Sequence, residues 1–143
     1  MYNQDKKIAF IAVPKTGTGS IRRLLRLTGK YHAELKFYQD KNIDDFFKFT
    51  FFRNSWSRAV SSFHFGREIA LGRILKNEPQ EIQLYAKPTF SDYIKHINSD
   101  KDLKKKFKES ILFRTQLSWI DPHMDQIDFI GRFEKYDEDL NYF

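Results

Sequence analysis

Residues 7–20 read KIAFIAVPKTGTGS, and this stretch decides the fold class. Lys7 to Val13 is a near-continuous apolar run with branched residues, the pattern of a strand buried on both faces. Such strands belong to parallel sheets with helices above and below. Pro14 to Ser20 breaks the run and carries glycine at 17 and 19. Ile21, Leu24, Leu25 and Thr28 then recur at helical spacing, with Arg22, Arg23 and Arg26 on the other faces. Gly29 closes the predicted helix. The opening is therefore strand, glycine loop, helix.

The same succession recurs downstream. Asp44 to Phe52 (DDFFKFTFF) ends in a second apolar run read as a strand. Asn54 or Ser55 can cap a helix that begins near Trp56 and runs through Val60 and Phe63 to about Ala70. Leu71 to Pro88 has little periodicity and reads as a loop or irregular helix. Thr89 to Ile97 reads as a short capped helix, Lys101 to Glu109 as a charge run and Leu112 to Ile120 as a helix stopped at Asp121-Pro122. Ile127 to Gly131 reads as a third buried strand, followed by a helix from Glu134 to Leu140. Repeated strand–turn–helix units predict an α/β fold, a parallel sheet flanked by helices. No repeat, low-complexity tract or linker divides residues 1–143, so a single domain is expected.

Composition narrows the partners. The 143 residues include 25 Lys+Arg against 19 Asp+Glu, a net charge of +6, and 15 Phe within a 41% hydrophobic fraction. A chain of about 150 residues buries roughly 68–70% of its unfolded surface, which argues against global disorder. The absence of cysteine excludes a disulfide framework, a Cys-ligated metal site and a thiol nucleophile. No apolar run approaches the ~18 residues of a membrane-spanning helix. Ile8 to Val13 follows Asp5-Lys6-Lys7 and leads straight into a motif, so it does not read as a signal segment, and a cytoplasmic chain is expected. A pI near 9.4 favours an anionic partner without choosing among nucleic acid, nucleotide phosphate, acidic glycan and lipid.

Two constellations carry anion chemistry. In PKTGTGS the glycines let the backbone turn tightly and aim N–H groups inward, at a helix start that adds about half a positive charge. Lys15 supplies a full charge, and Thr16, Thr18 and Ser20 supply hydroxyls. The competing reading is an ordinary strand–helix loop with a surface lysine. It is not a Walker A loop, in which the lysine follows the glycines; here Lys15 precedes Gly17 and Gly19. The second constellation is Arg53-Asn54-Ser55-Trp56-Ser57-Arg58-Ala59-Val60-Ser61, with Arg53 at a strand end and Arg58 and Ser61 three apart on one helix face. Its competing reading places Arg58 in a structural ion pair and Ser61 against the sheet.

Two anion sites at adjacent strand ends suit a nucleotide phosphorylated at both 5′ and 3′ positions. VPKTGTGS (13–20) and FTFFRNSWSRAVSSF (49–63) resemble the two nucleotide-binding motifs of sulfotransferases that use 3′-phosphoadenosine-5′-phosphosulfate (PAPS), most closely the carbohydrate-type branch with its small bacterial members. Asp128-Phe129-Ile130-Gly131-Arg132-Phe133-Glu134, followed by Glu138-Asp139, resembles that branch's tail segment. The resemblance implies a P-loop-like nucleotide-binding core. It implies that Lys15 contacts the 5′-phosphosulfate and neutralises the bridging oxygen as the sulfuryl group leaves. It further implies that Thr16, Gly17, Thr18, Gly19 and Ser20 wrap the 5′-phosphate, and that Arg53 and Ser61 hold the 3′-phosphate. The chain departs from the pattern at Thr18-Gly19-Ser20, where relatives have Gly-Thr-Ser, and at Ser55, where they have proline.

A hydroxyl acceptor, by the resemblance a glycan or a small molecule, needs a base, and histidine is the usual choice. His32, in Gly29-Lys30-Tyr31-His32-Ala33, resembles the segment where the branch places its catalytic histidine, displaced by Tyr31. His64 could line an acceptor cleft, His96 reads as structural and His123 is open. Lys104, Lys105, Lys106 and Lys108 read as a solvated helix face or as a surface for an acidic glycan. Trp119 and Arg132 match tail positions without an assigned role, and Glu134 either orients an arginine or acts chemically. No metal is expected. A nucleotide kinase-like phosphoryl-transfer enzyme is the alternative, although no acidic motif to hold Mg²⁺ stands near the loop. A basic nucleic-acid-binding module is the other; the strand-embedded phenylalanines argue against it.

Overall fold

The computed structural model describes residues 1–74, 87–121 and 123–143. The apolar run at 7–13 gives strand β2 (Ile8–Ile11), buried along its whole length. After the glycine loop comes α1 (Thr18–Leu24). Strand β3 (Phe47–Phe52) lies parallel to β2, with Phe10 opposite Phe49. Strand β4 (Phe129–Arg132) lies parallel to β3, with Phe51 opposite Gly131.

The sheet departs from the expected parallel arrangement at one edge. A two-residue strand β1 (Tyr2–Asn3) pairs antiparallel with β2, so the order β1-β2-β3-β4 is mixed. Two residues carry no readable periodicity; long-range hydrogen bonds place them. Tyr2 exchanges backbone hydrogen bonds with Thr28 at 3.0 and 2.8 Å, and the Asn3 side chain donates to the Leu25 carbonyl at 2.9 Å. These contacts also explain why α1 ends at Leu24 rather than at Gly29. The chain must leave the helix early for Thr28 to reach Tyr2, and Arg26 turns at φ +52° to do so.

Residues 1–54 and 115–143 form one compact unit around this sheet. Because side chains alternate across a strand, β2 feeds buried clusters on both faces of the sheet. Ile8, Phe10 and Ala12 pack with Phe49, Phe51, Ile21, Leu25 and Leu27, and Tyr136, Leu140 and Phe143 of the C-terminal segment close over them. The Phe10 and Phe49 rings stack at 4.9 Å, and each fully buried Phe contributes about 1.5–3 kcal/mol. Ala9 joins Ala33, Tyr38, Ile43 and Phe46, while Ile11 and Val13 join Leu35, Trp119 and Ile120. Burial on both faces is what the continuous apolar run required. The C-terminal segment turns through Phe133–Lys135 into helix α5 (Tyr136–Leu140).

Residues 55–114 form the second unit, made of α2 (Ser55–Ile74), α3 (Phe90–Asn98) and α4 (Lys101–Glu109). Phe63, Tyr93 and Ile97 are its buried centre, ringed by Phe90, Ile94, Phe107 and Phe113. Thr89 caps α3 by accepting from the Asp92 N–H at 3.1 Å, and Asp100 caps α4. The stretch expected as loop or irregular helix at 71–88 continues α2 to Ile74; residues 75–86 lie outside the described residues. The helix expected at Leu112–Ile120 does not form, and only Leu117–Trp119 makes a short 3₁₀ turn. In the α-helical unit, Ser62 and Arg58 of α2 donate to the carbonyls of Leu112 and Arg114 at 3.0 and 3.1 Å. In the sheet unit, the Gln116 side chain both accepts from the Arg53 N–H and donates to the Arg53 carbonyl, at 2.8 and 2.7 Å. Those bonds replace the helical ladder. Among the described residues, no helix is long and apolar enough to cross a membrane.

Candidate functional site

The loop between β2 and α1 is shaped from within. The Thr16 and Thr18 hydroxyls both donate to the Val13 carbonyl, at 2.8 and 3.1 Å, and both residues are buried. A hydroxyl has one proton to give, so these two fold the loop and leave its backbone N–H groups as the donors for an anion. Gly17 turns at φ +85°, and its carbonyl accepts from the Ser20 and Ile21 N–H groups at 3.0 and 3.2 Å. Gly19 is exposed and in open space, and Ser20 is exposed with a hydrogen bond to Tyr136.

Lys15 and His32 are both non-glycine residues in the left-handed region, at φ +69° and +49°. That conformation is uncommon and concentrates at functional sites. His32 Nδ1 lies 2.9 Å from the Ala12 carbonyl oxygen. Since a carbonyl only accepts, Nδ1 carries the proton and Nε2 presents a lone pair. Burial lowers the His32 pKa below its ordinary value, and the Lys15 charge lowers it further against the opposing pull of the Ala12 hydrogen bond. Both effects favour the neutral imidazole. Trp119, buried beneath it, meets its ring edge-on at 6.2 Å.

Arg53 follows the last residue of β3 and leans toward the same loop. Its Nη1 donates to the Lys15 carbonyl at 3.3 Å, and its guanidinium carbon sits 4.3 Å from the Phe133 ring centroid. Glu134 accepts from the Asn54 N–H at 2.7 Å, which fixes the chain leaving β3. Arg132 is paired with Asp139, whose carboxyl it holds below the usual carboxylate range. Thus Lys15, the 16–20 loop, His32 and Arg53 come together on the sheet unit. A comparison with protein families matches the sulfotransferase family over residues 1–143. The chain belongs to the sulfotransferase family. No curated protein and no solved structure matches it.

Within this sulfotransferase, the remaining expected residues separate by unit. Ser61 lies half-buried on α2, in the helical unit. Arg58 is 6% exposed there, and burial and the Arg114 charge lower its pKa. Its Nη1 donates to the Arg114 main-chain carbonyl at 3.1 Å. His64 on α2 is exposed, His96 lies on α3, and half-buried His123 contacts Gln126 at 3.4 Å. The lysines of α4 are exposed. Sequence reading missed Tyr136 and Phe133 as parts of the site, and Gln116 as the side chain that pins Arg53. For the two aromatic residues the signal was their place in and just after the tail segment 128–134; Gln116 lies outside it. Among the described residues, no group of three or more His, Asp or Glu could hold a metal ion.

Proposed function

We propose that residues 1–143 act as one sulfotransferase domain that moves a sulfuryl group from PAPS to a hydroxyl of a carbohydrate acceptor. The observation that carries the reading is the 3.3 Å bond from Arg53 Nη1 to the Lys15 carbonyl, which gathers two cationic residues at the ends of adjacent parallel strands. Strand ends of this kind are where α/β sheets bind ligands. The donor set of lysine, arginine and turned backbone N–H groups fits a nucleotide with two separated anionic groups.

PAPS, when bound, supplies an activated sulfuryl group on a phosphate leaving group. Lys15 would neutralise charge on the oxygen that leaves, and the 16–20 loop with Ser20 would hold the 5′-phosphate. Arg53 receives the 3′-phosphate, a role that the sequence resemblance also gives to Ser61. His32 holds one proton at Nδ1, where the Ala12 carbonyl keeps it, and takes the acceptor hydroxyl proton at Nε2. Positioning and charge stabilisation supply most of what in-line transfer needs.

Calorimetry with 3′,5′-adenosine bisphosphate against 5′-AMP tests the reading. Micromolar binding of the bisphosphate with AMP at least tenfold weaker, about 1.4 kcal/mol, is the expected result. Equal affinities would remove the role given to Arg53 and Ser61 and leave a phosphoryl-transfer enzyme as the better reading.

A further inference from the structure

The two anion-binding arms of the site, the glycine loop and Arg53, both rest on one pair of rings from the segment after β4. The Phe133 ring carries the Arg53 guanidinium at 4.3 Å, and the Phe133 and Tyr136 ring centroids are 5.7 Å apart. Tyr136 reaches the glycine loop. Its hydroxyl donates to the Gly17 carbonyl across a long 3.4 Å and hydrogen-bonds with Ser20. A Cβ on Gly17 would stand 2.6 Å from Tyr136 Cε2, so the ring lies directly against the loop backbone. Behind it, Phe51 anchors Tyr136 to the sheet core at 5.5 Å.

We infer that Phe133 and Tyr136 are positioning residues that set the spacing between the two arms: Tyr136 fixes the 16–20 loop and Phe133 fixes Arg53. The inference rests on the two-anion reading of the site. The peptide plane joining Gly17 to Thr18 is planar and trans, so its C=O and N–H point in opposite directions. Holding the Gly17 carbonyl toward Tyr136 and the first turn of α1 therefore turns the Thr18 N–H the other way. Donors fixed before the ligand arrives need no ordering when it binds, which raises affinity without a new contact to the ligand. Phe133 does the same for a long arginine side chain by giving it a face to stack on.

Two variants separate this role from plain packing. Tyr136→Phe keeps the ring and its place in the core and removes only the hydroxyl. Amide hydrogen exchange at residues 16–21 is expected to rise at least about threefold, the hydroxyl's neutral hydrogen bonds to Gly17 and Ser20 both being lost, with exchange in β2 and β3 unchanged. Affinities for 5′-AMP and for 3′,5′-adenosine bisphosphate are expected to fall by a common factor. Phe133→Leu is expected to weaken the bisphosphate about threefold or more and to leave 5′-AMP unchanged. Unchanged exchange at 16–21 in Tyr136→Phe, a rise spread evenly over the sheet, or equal weakening of both ligands by Phe133→Leu overturns the inference. Should the wild-type chain bind neither nucleotide, the PAPS reading fails, while exchange at 16–21 still decides whether Tyr136 holds the loop.

Discussion

His32 Nδ1 and the Ala12 carbonyl oxygen lie 2.9 Å apart, which ties the imidazole to the strand end that continues through Val13 and Pro14 into Lys15. One contact thus sets the ring's tautomer and keeps it near the lysine charge that lowers its pKa. The proposed base is thereby tied to the backbone that leads into the proposed electrostatic element.

The pH profile of turnover follows from that contact. His32 must be neutral to take a proton, and burial together with Lys15 moves its titration below the ordinary 6.5. The acid limb of kcat against pH is expected below pH 6.5. His32→Asn, chosen because Asn tolerates positive φ, is expected to lower kcat about 10²–10⁴-fold and to abolish that limb. A limb that persists in His32→Asn would move the base elsewhere.

Stability should carry the same group with a definite sign. A histidine whose folded pKa is lowered binds its proton less well folded than unfolded. Its contribution is therefore fully present above the unfolded pKa, near 6.5, and is lost as pH falls through the folded value. Tm of the wild-type protein is expected to drop more steeply below pH 6.5 than Tm of His32→Asn. Parallel curves for the two proteins would show that His32 titrates alike in both states.

Lys15 is argued to act on charge that develops as the leaving group departs. Lys15→Gln is expected to cost about 10²–10³-fold in kcat, the effect of removing one preorganised stabilising group. Lys15→Arg is not expected to restore it, because a planar guanidinium and a compact ammonium present their charge differently. Steady-state kinetics on the three proteins checks both expectations.

Arg58 distinguishes a helix-packing residue from a ligand-binding one. It is buried and bonded to the Arg114 carbonyl at 3.1 Å, so Arg58→Ala strips a partner from a main-chain acceptor. A loss of about 1–3 kcal/mol in unfolding free energy is expected, with nucleotide affinity unchanged. Denaturant melts and calorimetry on the same preparation read the two effects independently.

How far the sequence discloses this architecture depends on where each instruction resides. The β2 run and the capped helix beginning at Thr89 are local, so periodicity and residue type expose them. Lys15 and His32 stand out in the sequence by motif and context, and the fold brings both to the end of β2. Leu112–Ile120 was misread because its apolar spacing suits a helix, whereas Ser62, Arg58 and Gln116 engage its carbonyls or reach across to β3 from far away in the chain. Strand β1 has two residues and is defined by partners at Ala9 and Thr28. The Thr16 and Thr18 hydroxyls stand in the sequence as donors for a ligand, whereas the turn of the loop directs both protons to the Val13 carbonyl. Tyr136 is 119 residues from Gly17, a separation no window spans.

The two loop glycines should respond oppositely to alanine. At Gly17 a side chain meets two obstacles: φ is +85°, and the new Cβ would lie 2.6 Å from Tyr136 Cε2. The aromatic ring is itself held by Phe51, so it has little room to retreat. Gly17→Ala is expected to destabilise the fold by about 1–3 kcal/mol, adding backbone strain to overpacking, and to weaken nucleotide binding as the loop shifts. At Gly19 nothing lies within 4 Å of an added Cβ, and the residue sits inside α1. Gly19→Ala gains helix propensity and is expected to raise stability by about 0.5–1 kcal/mol. Thermal melts of the pair give the sign directly. Equal destabilisation by both would mean that the loop tolerates no side chain anywhere, whereas opposite signs would assign the glycine requirement to the turn at Gly17 and the Tyr136 ring against it.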